Sequence, residues 1–148
     1  SFGQSTDAAM IDTVMKKIGA NYTYNATANA SAVSGYKTVV IAVGASTKGL
    51  GAAGISEAQE TSRAEAFIEA VKKSGAKVIC AHIGGSQRRG KLSDTLTDLV
   101  LPVASVIVLK EDANFDYNFT NFAEKNNVPI SLIYANKDSV TAFENILK

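Results

Sequence analysis

An α/β sandwich with an open, mainly parallel sheet is the fold class this sequence predicts, and three observations predict it. Four strand-length runs, "KTVVIAVG" (37–44), "AKVICAHIGG" (76–85), "ASVIVLKE" (104–111) and "VPISLIYA" (128–135), are rich in apolar residues on both faces, the mark of strands covered on both sides. Segments of helical period separate them. Cap, glycine and proline signals fall between the two kinds of segment. Strict alternation of helix and strand suits right-handed crossovers and a three-layer α-β-α arrangement. A chain of 148 residues is one domain with room for one real core.

The elements follow in order. Met10, Ile11, Val14, Met15 and Ile18 fall at helical spacing, with Ser5 or Thr6 placed to cap the start and Gly19 to end the helix. "NYTYN" (21–25) alternates and reads as a short strand, and "ATANASAVSGY" (26–36) as a loop. After the run at 37–44 comes a long glycine-rich loop, "GASTKGLGAAGI" (44–55). Ser56 then opens a helix with Gln59 completing a capping box, and Ala64, Phe67, Ile68 and Val71 form its inner face. "SQRRGK" (86–91) is a basic loop. Ser93 is placed to cap a short helix carrying Leu96, Leu99 and Val100, which Pro102 ends. Phe115, Phe119, Phe122 and Ala123 make another helix face, and Asp138 caps a last helix with Val140, Phe143, Ile146 and Leu147. The architecture is flavodoxin- or Rossmann-like, with its first strand absent from the chain.

That absence is read from "SFGQSTD" (1–7), a turn running straight into a helix where such turns normally follow a strand. In a doubly wound sheet the first strand lies centrally, between the second and the third. Three accounts stand: the strand lies upstream, a separate chain fills the slot, or the sheet is smaller, with 21–25 as an edge and no slot.

Composition narrows the function. Net charge is +1, with 20% charged and 46% hydrophobic residues, so no overall polyanion-binding character exists. Basic residues and aromatics do not interleave in a stripe, which argues against nucleic acid. No apolar run approaches the roughly 20 residues of a membrane helix. Cys80 is the single cysteine, sits mid-strand, and reads as a buried structural thiol. Sequons at Asn21, Asn25, Asn29 and Asn118 are expected by chance in an Asn- and Thr-rich chain. Residue 1 is not Met and reads as a processed end, with export of a precursor as an expectation.

Ligands of open parallel sheets bind beyond the carboxyl ends of the strands. There the chain places Gly3, Ser5 and Thr6; Gly44, Ser46, Thr47 and Lys48; and His82, Gly84, Gly85, Ser86, Arg88, Arg89 and Lys91. Backbone amides at glycine turns and helix starts favour anions, and Lys48, Arg88 and Arg89 add charge, so a small anion such as phosphate, sulfate or carboxylate is the expected ligand. The plainer readings are tight turns, a solvated Arg88–Arg89–Lys91 cluster and a hydrogen-bonded structural His82. "GLGAAG" (49–54) matches G-x-G-x-x-G formally, but "ASTK" separates it from its strand and no acid ends the next strand, so the NAD fingerprint is not met. No P-loop occurs. Asp7, Asp94, Glu111 and Asp112 near strand ends suit a hard cation or, more commonly, helix first turns. One His, no G-x-S-x-G elbow and no Cys/His pair leave no nucleophile with a base.

"GQSTDAAMI", "GASTKGLGAAGI" and "HIGGSQRRGKLSD" together resemble a family of exported bacterial proteins, the domains of unknown function of family 6305. The resemblance covers most of the chain. It implies a Rossmann-like domain, export from the cytoplasm, and a short apolar strand before the segment like "GQSTD", which this chain lacks. It implies no activity and no catalytic residues.

The leading expectation is a non-enzymatic extracytoplasmic domain, secreted or periplasmic, that binds a small anion at its strand ends. The alternatives are an assembly subunit, self-associating or completed by a strand from another chain, and a hydrolase or transferase using His82 or an Asp with a metal.

Overall fold

The structure, a computed structural model, describes residues 1–148. Six α-helices surround a four-stranded parallel sheet: α1 (Asp7–Lys17), β1 (Thr38–Ala42), α2 (Thr47–Ala53), α3 (Glu57–Ser74), β2 (Lys77–His82), α4 (Lys91–Val100), β3 (Val106–Lys110), α5 (Asn118–Asn126), β4 (Ile130–Ile133) and α6 (Asp138–Leu147). The strand order is β1-β2-β3-β4, with Ile41 opposite Cys80, Cys80 opposite Ile107, and Ile107 opposite Ile130. The expected three-layer α/β sandwich is what the chain forms.

The two faces of the sheet bury separate cores. On one face Ile41, Val43, Val78, Cys80, Ile107 and Leu109 pack under Phe67, Ile68 and Val71 of α3, Leu96 and Val100 of α4, and Phe119 and Ala123 of α5. On the other, Ala42, Ile79, Ala81, Val106, Val108 and Ile133 pack under Ala8, Ile11, Val14 and Met15 of α1 and Ala142 and Phe143 of α6. Alternate residues of each strand face opposite layers, which is why the strands read as continuous apolar runs. Three right-handed crossovers stepping one way put α3, α4 and α5 on one face. Helices α1 and α6 lie on the other face.

Local signals decide the helix ends. Ser56 and Gln59 form the expected capping box, and Gly75 closes α3 at φ 70°. Several elements differ from the sequence reading. The stretch 47–53 is a helix, capped by the Ser46 hydroxyl and closed by Gly54 at φ 69°, because Ser46 supplies an N-cap that outweighs the glycines. Its Gly49 packs where a Cβ would lie 1.9 Å from the Gln4 carbonyl oxygen, so the residue serves close approach. Ser93 lies inside α4, where its hydroxyl accepts the Ala45 amide at 2.9 Å instead of capping the helix. Phe115 lies outside α5 and is exposed. Residues 21–25 form no strand and so do not edge the sheet as expected; the sheet has four strands. No helix is long and apolar enough to cross a membrane.

Candidate functional site

The three glycine-containing segments do converge at the carboxyl ends of the strands. Ser1–Gln4 runs beside the end of β1. Phe2 N–H donates to Ala42 O at 2.8 Å, Gly44 N–H to Phe2 O at 2.9 Å, and Ser46 N–H to Gly3 O at 2.9 Å. Phe2 thus forms one parallel rung opposite Val43. Gly3 sits at φ 106° with Gly44 O 2.3 Å from where a Cβ would be, so no other residue fits there.

An acid occupies the centre of this crevice. Asp7, 3% exposed, places Oδ2 against Gly44 and Gly84; Cβ atoms there would lie 3.0 and 2.6 Å from it. Oδ2 has no hydrogen-bond partner, and its nearest cation is Arg88 Nε at 3.9 Å. The Arg88 stem covers Gly84, and its guanidinium donates to Ala45 O at 3.4 Å. Ser5 is buried with its hydroxyl accepting the Asp7 amide, while Thr6 precedes α1 in the open. Thr47 and Lys48 are exposed on α2. Gly85 turns at φ 77° against Asp112.

Arg89 lies apart from this crevice. It donates to Asp94 at 2.9 Å, to Asp116 at 2.7 Å and to Ala113 O at 2.6 Å, and stacks on Phe115 and Phe119. Asp116 is held down at about 2, first by its hydrogen bond from Arg89, and these same carboxylates raise Arg89. His82 is fully buried against Phe119, with Nε2 3.2 Å from Arg88 O and Nδ1 unpartnered. Burial pushes its imidazole below the ordinary value, so it stays neutral in the core. Cys80 is fully buried, its thiol pushed up to about 12 by desolvation. No three His, Cys, Asp or Glu side chains gather as a metal site.

Beneath Phe2 a cavity of 520 Å³ runs along the outer edge of β1. Fifteen of its 24 lining residues are hydrophobic, and the volume falls in the range of ligand pockets. Thr38–Ala42 form its floor, Ala8, Ile11 and Met15 one wall, and Val33 and Phe67 the other; 21–25 and Tyr36 close the rim. Val43 N–H donates to Ala81 O, and Lys77 N–H to Lys37 O, so odd residues of β1 face β2. The amide and carbonyl groups of Thr38 and Val40 therefore point into the cavity.

A buried latch holds the upper end. Glu60, fully buried, accepts from Gly3 N–H (2.8 Å), Gln4 Nε2 (2.9 Å) and Arg63 Nε (2.7 Å). Arg63 also donates to the carbonyls of Ala28 and Ser1, and Gln4 Nε2 to Ala26 O. Burial alone would raise the Glu60 carboxyl, but the hydrogen bonds from Arg63, Gln4 and Gly3 outweigh it and hold the group low. Sequence reasoning missed this latch. Its signal was Glu60 standing on the apolar stripe of Ala64, Phe67, Ile68 and Val71, where an acid needs partners.

A family model, Domain of unknown function (DUF6305), matches residues 1–147. This chain belongs to that family. No curated protein and no solved structure matches it. For a DUF6305 domain, then, the geometry is the guide to function. It brings together Gly3, Ser5, Gly44, Gly84 and Arg88, places Lys48 and Thr47 on the surface, and commits Arg89 elsewhere.

Proposed function

We propose that this domain is a non-enzymatic extracytoplasmic binding module whose sheet takes an extended strand along the outer edge of β1. The cavity along β1 carries the reading. β1 has helices over both faces like an interior strand, yet its outer amides and carbonyls at Thr38 and Val40 have no neighbouring strand. Natural sheet edges are blunted by charge, proline or bulges, and "TVVIA" has none of these. A strand added here gains a backbone ladder and apolar contacts on both faces, the energetics of β-augmentation.

The strand-end crevice favours a bound anion less. The Asp7 carboxylate sits where an anion would, and Arg88 already lies beside it. Export rests on the family resemblance, and recovery of the protein with the cytoplasmic fraction of its source cell would remove that part.

Calorimetric titration with a Lys-flanked apolar pentapeptide tests the reading. Saturable binding with a negative heat-capacity change is expected. No binding overturns it.

A further inference from the structure

Asp7 has no structural role that accounts for its position. It is 3% exposed, and its Oδ2 has no hydrogen-bond partner. Buried polar atoms without partners are rare in folded chains, and each calls for a reason. Helix capping is not the reason. The amide of Asp7, the first of α1, donates to Ser5 Oγ at 3.3 Å. Thr6 at the N-cap makes no capping hydrogen bond, and the Ala8 and Ala9 amides have no acceptor. Yet two strand-end positions are glycine and so admit this oxygen: a Cβ at Gly44 would lie 3.0 Å from Oδ2, and one at Gly84 2.6 Å. None of Asp7, Gly44, Gly84 and Arg88 lines the cavity beside β1.

The cover over Asp7 is loosely held. Arg88 lays its stem on Gly84, stands with Nε 3.9 Å from Oδ2, and makes one long hydrogen bond, 3.4 Å to Ala45 O. Its side chain is 27% exposed. Arg89, its neighbour in the chain, is 8% exposed and donates at 2.6 to 2.9 Å to Ala113 O, Asp116 and Asp94. One arginine is fixed. The other can turn out into water, and doing so uncovers Oδ2.

We infer that this crevice binds a phosphate that keeps a proton, with Asp7 accepting the phosphate O–H and Arg88 and the first turn of α1 donating to its other oxygens. The charges set the choice. A helix start and a guanidinium favour an oxyanion, while a buried carboxylate repels one that is fully ionised. Inorganic phosphate near neutral pH carries at least one O–H in either of its forms; sulfate, of nearly the same size, carries none. A sulfate oxygen would set lone pairs against Oδ2, whereas a phosphate hydroxyl answers it. The site is independent of strand binding at β1.

Isothermal titration of the intact chain with sodium phosphate and with sodium sulfate, at pH 6 and matched ionic strength, tests this. Glycerol phosphate is the third ligand; at that pH about half of its molecules keep a proton on the phosphate. Saturable phosphate binding at least about tenfold tighter than sulfate binding is expected, because sulfate forfeits a hydrogen bond to a charged group. Whichever phosphate binds tighter shows whether the ligand is the free ion or a phosphate carried on a larger molecule. Asp7→Asn keeps the shape of the side chain and adds an N–H donor, so discrimination against sulfate should disappear. Arg88→Ala should weaken phosphate binding about tenfold. Thermal melts check that both variants fold, and the comparison of ligands in the parent stands without them. Equal affinity for phosphate and sulfate in the parent, no binding of any of the three, or unchanged selectivity in a folded Asp7→Asn overturns the inference.

Discussion

Replacing Glu60 by alanine should release the amino-terminal segment from α3. The side chain is fully buried and accepts three hydrogen bonds, at 2.7 to 2.9 Å, from Arg63, Gly3 and Gln4. Its removal leaves a guanidinium only 14% exposed without its counter-ion, together with two donors that lose their acceptor. Breaking such a buried pair costs about 3–5 kcal/mol. Arg63 keeps the Ala28 and Ser1 carbonyls, which places the expected loss near the lower bound, about 3 kcal/mol. For a domain of this size that lowers Tm by about 6–12 °C. Urea unfolding followed by circular dichroism at pH 7 reads it directly. The sign with pH follows from the depressed Glu60 carboxyl. A group held low in the folded state contributes fully above its unfolded pKa, about 4.3, and loses that contribution as pH falls through the folded value. The gap between parent and Glu60→Gln should therefore be constant from pH 7 to about 5 and shrink below about 4. A Glu60→Ala protein within about 0.5 kcal/mol of the parent, the range of ordinary surface changes, would refute the latch.

Gly49→Ala and Gly51→Ala should have opposite effects on stability in thermal melts. A Cβ at Gly49 meets the Gln4 carbonyl oxygen at 1.9 Å, whereas nothing lies within 4 Å of one at Gly51. The first should lose about 1–3 kcal/mol by overpacking and the second gain about 0.5–1 kcal/mol of helix propensity. Arg89→Met should let the Asp116 carboxyl rise from about 2 toward the ordinary 3.9 or so, as read by NMR titration. In the parent that ion pair stabilises above about pH 4 and is lost as pH falls toward the lower value, so the variant should lose the corresponding acid-side dependence. Cys80, with its thiol pushed up to about 12 and fully buried, should resist a thiol reagent at pH 8 until denaturant unfolds the chain.

The interior strands β2 and β3 were legible because each is covered on both faces, and double burial writes a continuous apolar run; β4, at the sheet's edge with Leu132 exposed, was legible from its apolar run alone. Helix α3 was legible to its cap, since Ser56 and Gln59 are a purely local device. α2 was misread because one of its glycines serves a contact rather than a turn: Gly49 is small so that Gln4 can approach, and the Ser46 cap carries the helix through Gly51. Ser93 was misassigned because its hydroxyl answers an amide 48 residues away. In the site, convergence of the three turns followed from topology. The charge pairing did not: Arg88 and Arg89 are neighbours in the chain, yet one lies over Asp7 and the other joins Asp94 and Asp116.

Alternating burial, caps and chain order by themselves determined a parallel α/β sandwich, because those patterns arise within a few residues and depend little on distant partners. Tertiary structure alone decided that an apolar cavity runs along the outer edge of β1 and that Glu60 and Arg63 bolt its upper end. Those facts depend on residues some 60 positions apart meeting in a dry interior, where hydrogen bonds and charges must find partners that no local pattern names.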